Sequence, residues 1–455
     1  MLSPVFERFA KKSPITVIAR GMMERVLHPE QLDQWFSTIE KNQYTKDLLF
    51  SSVFDIMSQV VCGSHRSVNA AYQASKDEIC VSITSFYNKL NGIEVSTSAE
   101  LVRYAAGQVS PIIEKLEGKN DSPLPGFRVK LLDGNCIEKS QHRIKELRNI
   151  GAGPLPGKSL VVYDPVLRLP IDVFPCEDGH AQERSMLSAV LLSVQSKDVW
   201  IADRNFCTVD FTFGIVFQGA FFIIREHKKY PWKSLGQERY IGKTDTGTVY
   251  EQRISVVDQT GKSCSFRRIR LTLEKETRDG DRDIFIITNI PEDAVDAIKI
   301  AESYRSRWKI ETAFQELTVY FNSEINTLGY PRAALFGFCV ALVSYMILSV
   351  VKAALASVHG KDTVENKVSG YYVADEISAT YRGMTIAIPD EEWIVFRKMK
   401  VPQLVNTLKE LSSNVKLSAF LKHPRGPKKP APERTSSKTS PHVSTAKIIA
   451  NRKKK

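Results

Sequence analysis

The sequence predicts a multidomain α/β protein, and three observations predict it. Apolar, strand-like runs alternate with helical segments over about residues 125–350. A helix-patterned region of about 118 residues precedes them. A block of alternating strands with no helix between them, at 231–290, interrupts the pattern before it resumes. A chain of 455 residues can bury several cores, so two to four domains are expected.

Residues 1–118 read as an all-α domain. Pro14, Pro29 and Pro111 are placed at or near helix starts, where a missing N–H costs little. Thr45 is a candidate cap for a helix over 46–61, and Ser98 for one over 99–116. The break at 118–126 is rich in Gly and Pro. A core follows over 125–230. Strands are expected at 127–133, 159–163, 169–174, 199–203 and 220–225, and helices at 142–149, 183–194 and 208–217. The β-rich block at 231–290 reads as an insertion. The core then resumes over 291–356 with a helix near 291–320. Residues 357–421 are expected to be helical, with an amphipathic segment at 401–411 and an expected role in dimerisation.

Residues 333–351 form an uncharged stretch of 19 residues, just long enough to cross a bilayer. Pro331 starts it, Lys352 is taken to end it, and Gly337, Ser344 and Tyr345 dilute its apolar character. A buried core helix is the expectation. No stretch near the start of the sequence suits a signal peptide.

The net charge is +12, and residues 422–455 hold eleven Lys or Arg against Glu433 alone. That Pro-, Ser- and Lys-rich tail is expected to be disordered and to add salt-sensitive affinity for a polyanion. The remainder carries only +2, so a nucleic-acid face there needs its basic residues gathered on one side. Seven widely spaced cysteines and eight scattered histidines argue against a disulfide framework or a zinc site, and for reduced thiols in the cytosol.

The chemistry centres on three acids. Asp133 and Asp203 each close an apolar strand-like run. Glu311 lies on a predicted helix with Tyr304 and Arg307. At about 100° per residue, positions 304, 307 and 311 fall within about 60° of one another. Three carboxylates can hold a pair of Mg²⁺ ions, which prefer oxygen ligands and suit phosphodiester chemistry. Each acid also has an ordinary reading. Asp133 could cap a turn, Asp203 could cap the next helix, and Glu311 could form a surface i,i+4 pair with Arg307. Asp164 ends a strand too, but Pro165 marks a tight turn there. Asp172, alternating within a strand, is expected to be exposed.

At these residues the chain resembles bacterial insertion-sequence transposases of the DDE type, in the IS-four group. Its signature, Tyr-x2-Arg-x3-Glu-x6-Lys, is met by Tyr304, Arg307 and Glu311, while Thr318 stands in the lysine position. An Asp-Gly motif at Asp133 and an Ala-Asp-Arg-x-Phe motif at Asp203 precede it, and the similarity covers about residues 125–350. The resemblance implies an RNase-H-like core with Asp133, Asp203 and Glu311 as catalytic metal ligands for Mg²⁺, with Mn²⁺ as a substitute. It implies that Tyr304, Arg307 and the Thr318 position contact DNA phosphates. It further implies cut-and-paste transposition by a homodimer on double-stranded DNA, with the element's inverted repeats and target DNA as partners, in the bacterial cytoplasm. Two other readings stand beside this one: a related nuclease that cuts without joining, and a transposase-derived DNA-binding protein that is catalytically idle.

Overall fold

The computed structural model describes residues 3–41, 47–138, 140–141, 153–277, 280–423, 426 and 442–452. The cap expected at Thr45 and the basic helix expected at 142–149 lie outside the described residues.

Seven helices lead the described chain: α1 (Pro4–Lys12), α2 (Pro14–Leu27), α3 (Pro29–Ile39), α4 (Phe50–Val61), α5 (Val68–Ala74), α6 (Ile83–Gly92) and α7 (Val95–Leu116). Pro14 and Pro29 occupy first-turn positions, and Ser3, Ser67 and Ser82 cap their helices by accepting from backbone N–H groups three residues on. Two expectations are corrected in α7. Its N-cap is Glu94, not Ser98, whose hydroxyl donates to the Glu94 carbonyl. Pro111 lies inside the helix rather than at its start. A proline there removes the bond to the Gly107 carbonyl. Flanking side chains offset that cost by burial, since Val109, Ile112 and Ile113 all belong to the core.

The strands are β1 (Arg128–Cys136), β2 (Gly153–Leu155), β3 (Lys158–Asp164), β4 (Leu169–Cys176), β5 (Asp198–Ala202), β6 (Phe221–Arg225), β7 (Lys233–Ser234), β8 (Arg239–Thr244), β9 (Gly247–Val257), β10 (Ser263–Leu273), β11 (Asp283–Thr288) and β12 (His442–Ser444). Between β4 and β6 lie α8 (Leu187–Leu191) and α9 (Val209–Phe217), the latter capped by Thr208. Ten strands form one sheet in the order β4-β3-β1-β5-β6-β11-β10-β9-β7, with β8 on β9. The pairs β4–β3 and β3–β1 are antiparallel, while β1–β5 and β5–β6 are parallel. The β-rich block joins this sheet edge-on, because β11 pairs antiparallel with β6.

Alternation along the strands divides the sheet's two faces. Leu131, Val161, Val199, Ile201 and Ile223 enter one core, shared with the leading helices and the helices after β11. Leu132, Leu160, Val162, Trp200, Ala202 and Phe222 enter a second core, closed by α8, α9 and part of the β-rich block.

After β11 come α10 (Ala297–Tyr304), a 3₁₀ turn (Arg305–Arg307), α11 (Trp308–Tyr320), α12 (Pro331–His359), α13 (Lys361–Lys367), α14 (Gly370–Ala387), α15 (Asp390–Lys398), α16 (Val401–Ser413) and α17 (Thr445–Arg452). The one helix expected over 291–320 is therefore two, joined by a tightened turn whose residues keep right-handed helical angles. Helix α12 is long and apolar enough to cross a membrane, yet 94% of its apolar window is buried inside the protein, against α7, α4, α16 and α2. Lys352 does not end it. The chain stays helical to His359 because Glu316 of α11 meets the Lys352 ammonium at 3.1 Å and lets it lie within the fold.

The tail departs from the expected disorder where it is described. β12 pairs in parallel with β2, α17 follows, and Lys447 meets Asp178 at 3.0 Å.

Candidate active site

Asp133 and Asp203 come together through strand register. Leu132 and Ala202 are partners on the adjacent parallel strands β1 and β5, and each aspartate is the next residue. By alternation Asp133 follows the face of Leu131, the face against which α11 packs. β1 does not stop at Asp133 as expected. It runs to Cys136, with Asp133 opposite Val161 on β3. The Asp-Gly pair is therefore not a turn. At Gly134 the end of the flexible Glu183 side chain packs against the backbone. Glu183 is a further carboxylate near β1, on the side of Gly134 opposite to the Asp133 side chain by alternation, and sequence reasoning did not single it out. It opens the 3₁₀ turn after β4, and no local motif marks it.

Asp203 is the N-terminal flanking residue of a 3₁₀ turn (Arg204–Phe206), but its side chain makes no capping bond. Among the described residues no hydrogen-bond or ion-pair partner takes up this half-buried carboxylate. Asp164 contrasts with it: its Oδ1 accepts from the N–H groups of Val166 and Leu167, so a turn uses it. Asp172, expected to be exposed, is buried and paired with Arg103 at 2.6 Å, because α7 covers β4.

Arg307 links the strand acid to the helix acid. Its Nη1 donates to Asp133 Oδ2 at 3.0 Å, and its Nη2 meets Glu311 Oε1 at 2.6 Å. A planar guanidinium can serve two carboxylates at once in this way, which an ammonium does less well. Burial pushes the Asp133 carboxyl up to about 6. Arg307 and the Gly134 N–H oppose that rise, while Glu311 and Asp203 add to it. Burial likewise pushes the Tyr304 phenol up to about 12, with Arg307 opposing and Asp203 contributing. Tyr304 and Arg307 are both buried. Thr318 lies on the exposed side of α11, seven residues past Glu311, and its hydroxyl donates to the Phe314 carbonyl at 3.0 Å. Trp232 has one face covered by Arg268 at 4.7 Å, and its indole N–H donates to Glu226.

The β-rich block positions this helix. Buried Arg267 of β10 pairs with Glu251 of β9 and donates to the carbonyls of Ile290 and Val295, just before α10. Asp296 then caps α10 by accepting from Lys299 N–H at 2.7 Å.

An all-oxygen donor set of Asp133, Asp203 and Glu311 suits a hard divalent cation in its chemistry. The raised Asp133 carboxyl, with two acids adding to the rise, fits a place where positive charge is in demand. In the arrangement described, the guanidinium of Arg307 supplies that charge. Among the described residues no group of three or more His, Cys, Asp or Glu is drawn together closely enough to enclose an ion.

Residues 151–347 match a family model described as the transposase DDE domain. The matched segment contains Asp203, Tyr304, Arg307, Glu311 and Thr318, and begins after Asp133. The match supports a DDE transposase, an enzyme of the class that acts on DNA. No curated protein matches the chain.

Proposed function

We propose that this protein is a cut-and-paste transposase of the IS-four-like insertion-sequence group, with Asp133, Asp203 and Glu311 as its catalytic acids. The observation that carries the reading is the placement of Asp133 and Asp203 side by side in register, with Arg307 tying Asp133 to Glu311. The strand arrangement supports an RNase-H-like core: three antiparallel strands, β4, β3 and β1, followed by two parallel ones, with one acid on β1 and the other just past the end of β5.

The three carboxylates would hold Mg²⁺, or Mn²⁺ in its place. Such ions activate an attacking oxygen and stabilise the charge on the leaving one. The chain's own residues do the rest. Arg307 keeps Glu311 and Asp133 facing one another and, once released from them, is the cluster's group suited to gripping a phosphate through two N–H bonds. Tyr304 is buried beside it. Water first cuts the DNA at the element's end, and the freed 3′-hydroxyl then attacks target DNA. The expected partners are inverted-repeat and target duplexes and a second copy of the chain, in the bacterial cytoplasm.

Changing Asp133, Asp203 or Glu311 singly to Ala, then assaying Mg²⁺-dependent nicking of DNA that carries the element's ends, tests the assignment. Loss of about 10³-fold or more in each is expected. Undiminished nicking in any one removes that residue from the set. Joining of the cut 3′ end to a second duplex separates a transposase from a nuclease that only cuts.

A further inference from the structure

A cavity of about 320 Å³ lies on the side of α11 turned away from Arg307 and Glu311, between that helix, α12 and α13. Its charged lining is Lys309, Glu316, Lys352, Arg168, Glu365 and Lys422. The pairings leave positive charge over. Lys352 meets Glu316 at 3.1 Å, and Arg168 meets Glu365 at 2.7 Å. The Lys422 ammonium donates to a carbonyl, that of Glu365, at 2.8 Å. Lys309 has no hydrogen-bond or ion-pair partner among the described residues, although it is half-buried. A partly desolvated cation without a partner is costly, and an anion would relieve that cost. Two ammonium groups in excess, the half-buried Lys309 and the exposed Lys422, line one cavity and match the charge of a phosphate better than that of a carboxylate.

We propose that this cavity binds a phosphoryl group through Lys309 and Lys422, either a phosphate of the DNA backbone or a free phosphate ester. The site is separate from the three acids, and nothing in it depends on their holding a metal.

The test uses the full chain without divalent metal, comparing the unaltered protein with Lys309→Ala, Lys309→Arg and Lys422→Ala. Anisotropy of a labelled duplex is followed across a salt series, and calorimetry follows inorganic phosphate and deoxyadenosine monophosphate. With a backbone phosphate as ligand, Lys309→Ala weakens duplex binding about 5-fold or more and lowers the slope of log affinity against log salt by about one. With a free ester as ligand, the same change removes nucleotide and phosphate binding and leaves the duplex curve in place. In both cases Lys309→Arg, which keeps the charge, retains most of the affinity, and the variants melt with the unaltered protein. Unchanged binding of duplex, phosphate and nucleotide in both alanine variants overturns the proposal. Since Asp133, Asp203 and Glu311 are untouched and no cleavage is measured, failure of the transposase reading would leave this result readable.

Discussion

The Nη1 of Arg307 donates to Oδ2 of Asp133 at 3.0 Å across 174 positions of sequence, while the same guanidinium holds Glu311 at 2.6 Å. One side chain thus fixes the spacing between a strand acid and a helix acid. Arg307→Lys keeps the charge but loses the fork. It is expected to lower DNA cleavage about 10- to 100-fold with a stability loss of about 1 kcal/mol. Cleavage assays alongside denaturant melts check both numbers. An unimpaired lysine variant would show that the fork does not matter.

Asp203 gives the cleanest separation of function from stability. Its carboxylate caps nothing and has no ion-pair partner among the described residues. Asp203→Ala should therefore change unfolding free energy by no more than about 0.5 kcal/mol while removing cleavage. Added Mg²⁺ should raise the melting temperature of the unaltered protein and not of this variant. A destabilised Asp203→Ala protein, or one still stabilised by Mg²⁺, contradicts the role.

Asp133 makes stability depend on pH in a stated direction. Its folded-state carboxyl is raised to about 6, above the ordinary unfolded value of about 4, so the folded state binds the proton more tightly. The stabilising contribution is complete below about pH 4 and is lost as pH rises through about 6. Asp133→Asn should therefore be the more stable protein at pH 7, by about 2 kcal/mol, with the gap closing toward pH 4. Urea melts at several pH values measure it, and a variant less stable at pH 7 than at pH 4, relative to the unaltered protein, runs against the assignment.

Glu316 shows the opposite sign. Lys352, Tyr345 and Tyr320 hold its carboxyl below the usual range, despite burial. That contribution is present above the unfolded pKa of about 4.3 and is lost as pH falls below it. Lys352→Met strands a buried carboxylate between α11 and α12 and is expected to cost about 3 kcal/mol at pH 7. Thermal melts of this variant against Lys352→Met with Glu316→Gln test it, since the double change should recover part of the loss.

Thr318 occupies the place where the resembled family carries lysine, and its hydroxyl is turned back to the Phe314 carbonyl. Thr318→Lys should raise duplex affinity several-fold at low salt and steepen its salt dependence by about one phosphate contact. Anisotropy titrations across a salt series measure this, and an unchanged slope would show that no phosphate passes near this position.

Much of the candidate site's arrangement is legible in the chain because its parts sit on regular elements. The apolar runs ending in Asp133 and Asp203 mark neighbouring strands, and the spacing of Arg307 and Glu311 puts them on one helical face. What could not be read is what depends on distant partners. Asp133 reads as the end of a strand because Asp-Gly favours turns, whereas pairing with β3 carries the strand on to Cys136. Asp172 looked exposed by alternation, until α7 covered that strand and supplied Arg103. Lys352 looked like a helix stop because its partner, Glu316, lies 36 residues away on a separate helix. Pro111 reads as a helix start locally, and the burial of its neighbours Val109, Ile112 and Ile113, which offsets its cost inside α7, comes from distant partners.

Diffraction from crystals soaked in Mn²⁺, collected at the manganese edge, tests the central claim most directly. Anomalous density bounded by oxygens of Asp133, Asp203 and Glu311 is expected, with Arg307 released from at least one of the two carboxylates it now holds. Manganese bound elsewhere, or bound with any of these three acids far from it, would contradict the account.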